Sequence, residues 1–203
     1  MKLYGIFILV KISDFHNDSS KNAKIIKYAL NLASFNFFQR RGVEEFLKFT
    51  SELLITKTQQ GSRCTITQDN YLCNTYVRSD DKLGAILFSD HEYPKRVAQT
   101  LLTKVLNNFS NQSYENNEIN KPMIDPFLTE MLAKYQSPKE ADVLTRLEND
   151  LDETKIILHN TIESVLERGE KLDDLVSKSD QLSADSKAFY RTARKTNQCS
   201  CII

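Results

Sequence analysis

One cation stands where an apolar residue belongs. Alternate steps of three and four residues from Leu144 give Leu144, Leu147, Leu151, Thr154, Leu158, Thr161, Val165, Arg168, Leu172, Leu175, Ser179, Leu182, Ser186, Phe189, Ala193 and Thr196. Ten of these sixteen positions are apolar, five are Ser or Thr, and one is Arg168. An unbroken 3-4 spacing marks a helix that packs in a left-handed coiled coil. A guanidinium offers several donors and no acceptor, so burying it costs free energy unless acceptors converge on it. Its chemistry is recognition rather than reaction: such a residue fixes register and partner choice at the expense of stability. A two-stranded homodimer would set Arg against Arg across a seam weakened by small polar residues. The seam therefore predicts a heteromeric helical bundle whose other chains supply the acceptors.

Side chains suited to bond-breaking chemistry are scattered. His16, His91 and His159 are isolated, with His159 one residue past the seam on the expected bundle surface. Cys64, Cys73, Cys199 and Cys201 show neither paired zinc-ligand spacing nor a dense disulfide framework. There is no Gly-rich phosphate loop, no nucleophile elbow and no His/Cys/carboxylate set at ligand spacing. Asp173-Asp174 reads as a solvated helix face. The expectation is a chain that is not an enzyme and uses no cofactor, metal or small-molecule substrate. A hydrolase or transferase reading would need a reactive Cys64 or Cys73. The formal net charge is zero, and no basic stripe is interleaved with aromatics, which argues against nucleic acid. After Asp185 the charged residues are Lys187, Arg191, Arg194 and Lys195, followed by Cys199-Ser200-Cys201-Ile202-Ile203. A basic segment beside terminal cysteines suits an anionic membrane leaflet; the alternative is a frayed helix end with two idle thiols.

The elements that position these residues fall into two parts. Met1–Val10 is apolar, but Lys11 follows directly and no small-x-small cleavage site appears, so Leu3–Ile12 reads as a buried strand rather than a leader. Lys24–Leu32 is ambiguous between helix and strand. Val43–Ile55 carries one apolar face and reads as a helix. Strand-like runs follow at Cys64–Thr67, Tyr71–Arg78 and Leu83–Ser89, with Asn70 and Ser79-Asp80-Asp81 as turns. A helix begins near Pro94 and runs to about Phe109. Three consecutive strands with flanking helices indicate an α+β domain built on an antiparallel meander. Residues 111–122 are polar and Asn-rich and read as a linker. A short helix spans Pro126–Tyr135. A long one starts with Ser137 as cap, Pro138 at its first position and Glu140 closing a capping box. Gly169 weakens that helix without breaking it. Apolar residues off the seam, namely Ile156, Ile157, Ile162, Leu166 and Val176, form a second stripe, which the N-terminal domain is expected to cover before a bundle forms. No stretch approaches the roughly 20 apolar residues needed to cross a bilayer.

The runs Leu151–Ile162 and Val165–Leu175, which carries Arg168, resemble the R-SNARE motif of the synaptobrevin-like family. They are most similar to the lipid-anchored longin R-SNAREs of the Ykt type. Asn70–Cys73, Tyr76–Arg78 and Glu92–Pro94 are similar to longin-domain landmarks. The resemblance implies a profilin-like longin domain of β-β-α-β-β-β-α-α order, which makes Lys24–Leu32 a strand, followed by a long SNARE coiled-coil helix. It divides the chain into a longin domain over 1–135, linker and short last helix included, an R-SNARE motif over 138–198 and a lipidated tail over 199–203. It implies that Arg168 forms the central layer with Gln side chains from three Gln-SNARE helices, with Val165 and Leu172 shielding it. The hydrophobic layers are then Leu144, Leu147, Leu151, Leu158, Val165, Leu172, Leu175, Leu182, Phe189 and Ala193. It also implies a longin domain that folds back on the motif through Phe49, and a tail palmitoylated at Cys199 and prenylated at Cys201. CaaX prenylation needs a cysteine fourth from the end. Ser200 holds that place, so Cys201 qualifies only if one further residue follows Ile203. The implied function is vesicle fusion at ER-derived, Golgi, endosomal or vacuolar membranes. A coiled-coil adaptor or tether whose α/β domain binds cargo is the alternative.

Overall fold

The computed structural model describes residues 1–12, 23–109, 122–137 and 155–199. Strand β1 (Leu3–Lys11) alternates by period two: Ile6 and Ile8 enter one hydrophobic core while Phe7 and Leu9 enter another. That alternation makes β1 an interior strand of a sheet with both faces covered. Strand β2 (Ala23–Leu30) pairs antiparallel with β1, which settles the ambiguous segment as strand. Helix α1 (Phe37–Lys57) covers one face. Strands β3 (Arg63–Gln68), β4 (Tyr71–Val77) and β5 (Leu83–Asp90) form the expected antiparallel meander, with β5 returning to β1. Helix α2 (Lys95–Phe109) and helix α3 (Pro126–Lys134) cover the other face. Asp125 caps α3 by accepting from the Leu128 amide at 3.1 Å, and Pro126 opens it. A two-residue strand β6 (Met123–Ile124) lies parallel along β2.

The element order is the one the longin resemblance implies, with β6 added. Helix α1 begins six residues before the expected Val43, because its first turn presents Phe37, Phe38, Arg40 and Arg41 to solvent and so carries no buried face to read.

The heptad segment, expected as a continuous helix, is divided over its described residues. Strand β7 (Ile156–His159) is followed by a 3-10 turn (Ile162–Val165), helix α4 (Leu172–Lys178) and helix α5 (Ala184–Cys199). β7 joins the sheet edge parallel to β3, pairing Ile156 with Arg63 and His159 with Ile66, and completes the order β6-β2-β1-β5-β4-β3-β7. The physical reason is partner supply. Heptad spacing specifies which side chains need cover, and in a lone chain the apolar side of α1 supplies that cover while the unpaired backbone edge of β3 accepts β7.

The heptad segment on the longin surface as candidate functional site

Each piece of the segment is seated by identifiable residues. The Thr161 hydroxyl caps the 3-10 turn by accepting from the Ser164 amide at 3.2 Å, and the Ile162 amide donates to Gln68 Oε1 at 3.1 Å. Ile162 is thereby driven into the core between sheet and α1. After the turn the chain reverses at Gly169, whose φ of +95° suits glycine and few other residues. Lys57, at the end of α1, clamps this reversal through Glu167 at 2.7 Å and Glu170 at 3.1 Å. Burial opposes the charge on Lys57, but the bonds to the two carboxylates outweigh it and raise its pKa. The Glu167 amide and then Lys57 hold Glu170 below the ordinary carboxylate value.

Leu172 and Val176 of α4 and Leu182 beyond it are buried in the same core. Each contributes roughly 1.5–3 kcal/mol of gross apolar burial. Helix α5 then lies against α1. Gly42 makes room for this approach: a Cβ there would meet the Asp185 carbonyl oxygen at 3.3 Å. One carboxylate fastens the start of α5. Glu45 accepts from the Ser183 amide at 3.2 Å and from Ser186 Oγ at 2.5 Å, with Ser186 completely buried. Hydrogen bonds from Ser183 and then Ser186 hold the Glu45 carboxyl down at about 2. Further along, Tyr190 stacks on Phe46 at 5.4 Å and Phe189 meets Phe46 and Phe35 edge-on. The Tyr190 hydroxyl donates to Asp173 at 2.7 Å, and Arg194 pairs with the same carboxylate, tying α5 to α4. Burial pushes the Tyr190 phenol up to about 12. Beneath Phe189 an apolar cavity of about 80 Å³ remains, lined by residues including Tyr4, Phe46, Leu47 and Ile162.

The structure distributes the expected site residues unevenly. Arg168 is exposed, with its flanking Val165 half-buried and Leu172 buried. Leu175, Phe189 and Ala193 are half-buried, Leu182 is buried, and Leu158 is 62 % exposed. Phe49 is half-buried against the core that receives the segment. Leu144, Leu147, Leu151, Thr154 and Cys201 lie outside the described residues, and Cys199 ends α5. The expectation that the N-terminal domain covers one apolar stripe is met piecemeal, with residues drawn from both stripes. Ile162 and Val176 are buried and Ile156 and Leu166 half-buried, but Ile157 is exposed while seam residues Leu172 and Leu182 go in. A chain broken into short pieces presents no single helical stripe, so burial selects residues piece by piece. Sequence reasoning missed Glu45, Lys57, Gly42 and Gln68. Their partners lie far along the chain, and no local spacing signals such a pair. Among the described residues no helix is long and apolar enough to cross a membrane.

A longin-like sheet that accepts the following heptad segment as an extra edge strand defines the class as a longin domain joined to a SNARE segment. Comparison with known proteins agrees. A longin family model, described as a regulated-SNARE-like domain, matches residues 32–136, and the synaptobrevin model matches residues 143–202. The synaptobrevin homologs ykt6 of Schizosaccharomyces pombe and YKT6 of Eremothecium gossypii are each 44 % identical to the chain. That of Debaryomyces hansenii is 42 % identical. All three alignments cover the whole of both proteins. The chain belongs to the Ykt6 group of the synaptobrevin family, longin R-SNAREs that are membrane-fusion proteins rather than enzymes.

Proposed function

We propose that the chain is the R-SNARE of an intracellular vesicle-fusion reaction, in which the segment over 138–198 leaves the longin surface and zips with three Gln-SNARE helices. In the resulting four-helix bundle Arg168 forms the central layer, shielded by Val165 and Leu172. The remaining layers come from Leu144, Leu147, Leu151, Leu158, Leu175, Leu182, Phe189 and Ala193. The longin domain over 1–135 restrains the segment until partners arrive, with Phe49 part of the restraining face. The tail over 199–203, acylated at Cys199 and, if a further residue follows Ile203, prenylated at Cys201, anchors the chain peripherally. The membranes in question are cytosolic faces of Golgi, ER-derived vesicle, endosomal or vacuolar compartments. Two attached lipids would hold the chain on a membrane far better than one.

The observation that supports this reading is the fate of the seam. Leu172 and Leu182 are spent on the longin core, while Arg168 between them and Leu158 is left in water. A layer residue buried on α1 cannot at the same time face a partner helix, so folding back and zipping exclude each other.

The test is Arg168→Ala in the full chain, mixed with three Gln-SNARE helices. Assembly is expected to weaken by tenfold or more, because the Gln amides lose their common donor partner. Equal or tighter assembly after the substitution would overturn the bundle.

A further inference from the structure

Helix α1 opens with the largest aromatic exposure in the described chain. Phe37 is 78 % exposed and Phe38 92 % exposed, and their rings meet edge-on at 5.8 Å, each the other's ring contact among the described residues. Neither belongs to a core cluster. Arg40 and Arg41, both exposed, follow on the next half-turn. Arg40 donates through Nε to the Phe35 carbonyl at 3.2 Å, and Arg41 pairs with Glu45 at 3.2 Å. The acids of the following turn are engaged, Glu44 by Lys48 and Tyr28, Glu45 by Arg41 and the two serines. A third exposed apolar side chain lies on the edge strand beside β2. Ile124, 64 % exposed, pairs in parallel register with Tyr28. The Tyr28 hydroxyl bonds Glu44, which lies two turns from Phe37 on one face of α1.

We propose that this flank docks on an anionic lipid bilayer, with Phe37 and Phe38 entering the headgroup boundary and Arg40 and Arg41 meeting lipid phosphates and carboxylates. Aromatic rings favour the interfacial zone of a bilayer, and basic side chains beside them are drawn to anionic lipid. A protein partner fits less well. A stable interface needs roughly 800 Å² per side, whereas the apolar part of the helix start is two rings. The contact needs neither a zipped bundle nor a lipid tail: a folded-back chain already carries it. It would give the longin domain its own hold on a membrane, separate from the C-terminal one.

The chain contains no tryptophan, so Phe38→Trp supplies a single fluorescent reporter at the proposed contact. The unlipidated full chain bearing it is titrated with vesicles of phosphatidylcholine alone and of phosphatidylcholine with about one-third phosphatidylserine. The emission is expected to shift to the blue and be quenched by brominated acyl chains on the anionic vesicles only. In otherwise wild-type chain, Phe37→Ser with Phe38→Ser, and separately Arg40→Gln with Arg41→Gln, should each lower co-flotation with anionic vesicles by about tenfold. The tail cations Arg191, Arg194 and Lys195 also attract such vesicles, so flotation with unchanged Trp emission would mean tail binding alone and would overturn the proposal. Undiminished flotation of the double Ser variant would do the same. So would sedimentation showing a dimer that the double Ser variant abolishes, since a second copy would then cover the rings.

Discussion

Gly169→Ala should push the chain out of its folded-back form from both sides at once. In that form residue 169 has φ +95°, and an added Cβ would meet nothing within 4 Å, so the substitution costs backbone conformation and not a clash. Forcing a residue with a Cβ into the left-handed region costs about 1–2 kcal/mol. In the proposed bundle the same position is helix interior, where Ala is better than Gly by about 1 kcal/mol. The two effects have the same sign and sum to about 2–3 kcal/mol, a shift of roughly 30- to 150-fold toward the released, helix-competent segment. Hydrogen exchange on the isolated full chain reads the first part. Amides of β7 and α4 should exchange about 5- to 30-fold faster, while those of β1 and β5 keep their protection. The rate of assembly with Gln-SNARE helices reads the sum where release limits assembly. Gly169→Asn, which tolerates the left-handed region better, should give a smaller effect. Exchange unchanged within about twofold for Gly169→Ala would mean that the reversal at residue 169 does not hold the segment down, and the reasoning fails.

Glu45→Ala removes the acceptor for the Ser183 amide and the buried Ser186 hydroxyl. Glu45 is 24 % exposed and Ser183 and Ser186 still meet each other at 3.1 Å, so the loss is about 1–2 kcal/mol. It appears as faster exchange in α5 alone; equal acceleration in the sheet would show global destabilisation instead. The Glu45 pKa falls from 4.5 to about 2 on folding back, so its contribution is complete above 4.5 and fades as pH drops toward 2. NMR titration of its carboxyl should have a midpoint near 2 in the native chain and closer to 4.5 with Ser183→Ala and Ser186→Ala; a native midpoint near 4.5 would refute the latch. Lys57→Met should cost about 0.5–1 kcal/mol, with faster exchange at residues 162–170. High salt should reproduce part of that effect in the unaltered chain, and salt-independence would assign the contact no electrostatic role.

The domain core was legible because its code is local and repetitive. Ile6 and Ile8 against Phe7 and Leu9 announce a two-faced strand, and the spacing of Val97, Leu101, Leu102, Val105 and Leu106 announces a helix with one buried side. Lys24–Leu32 resisted because a short apolar run fits either period, and only pairing with β1 decides it. The heptad segment reads as one continuous helix, and its described residues carry that pattern in separate pieces, two of them helices. Its spacing correctly identifies Leu172 and Leu182 as residues that need cover. The pattern is silent on what covers them, because the surface of α1 is assembled from residues more than a hundred positions away. Ser186 makes the point sharply. At a seam position it reads as a small core residue, yet its hydroxyl is a buried donor whose acceptor, Glu45, lies 141 residues upstream. The proposed central-layer residue was legible by type and not by environment: Arg168 is out of place in an apolar seam, and the folded-back chain resolves the conflict by leaving it in water.

That resolution bears on specificity. Folding back buries Leu172 and Leu182 and leaves Arg168 exposed, so the folded-back form gains apolar burial and avoids the cost of a desolvated guanidinium. On the proposed bundle the same leucines are buried again, and their contribution largely cancels between the two states. What remains to decide between them is the gain from the other layers set against the environment of Arg168. Helices that bring no acceptors to that layer would leave a buried cation unpaired, a penalty of several kcal/mol. Helices that bring three amide oxygens would satisfy it through charge-assisted hydrogen bonds. The longin domain and the lone arginine would thus act on one equilibrium: the first sets the stability that any partner set must exceed, and the second ensures that only acceptor-bearing partners exceed it.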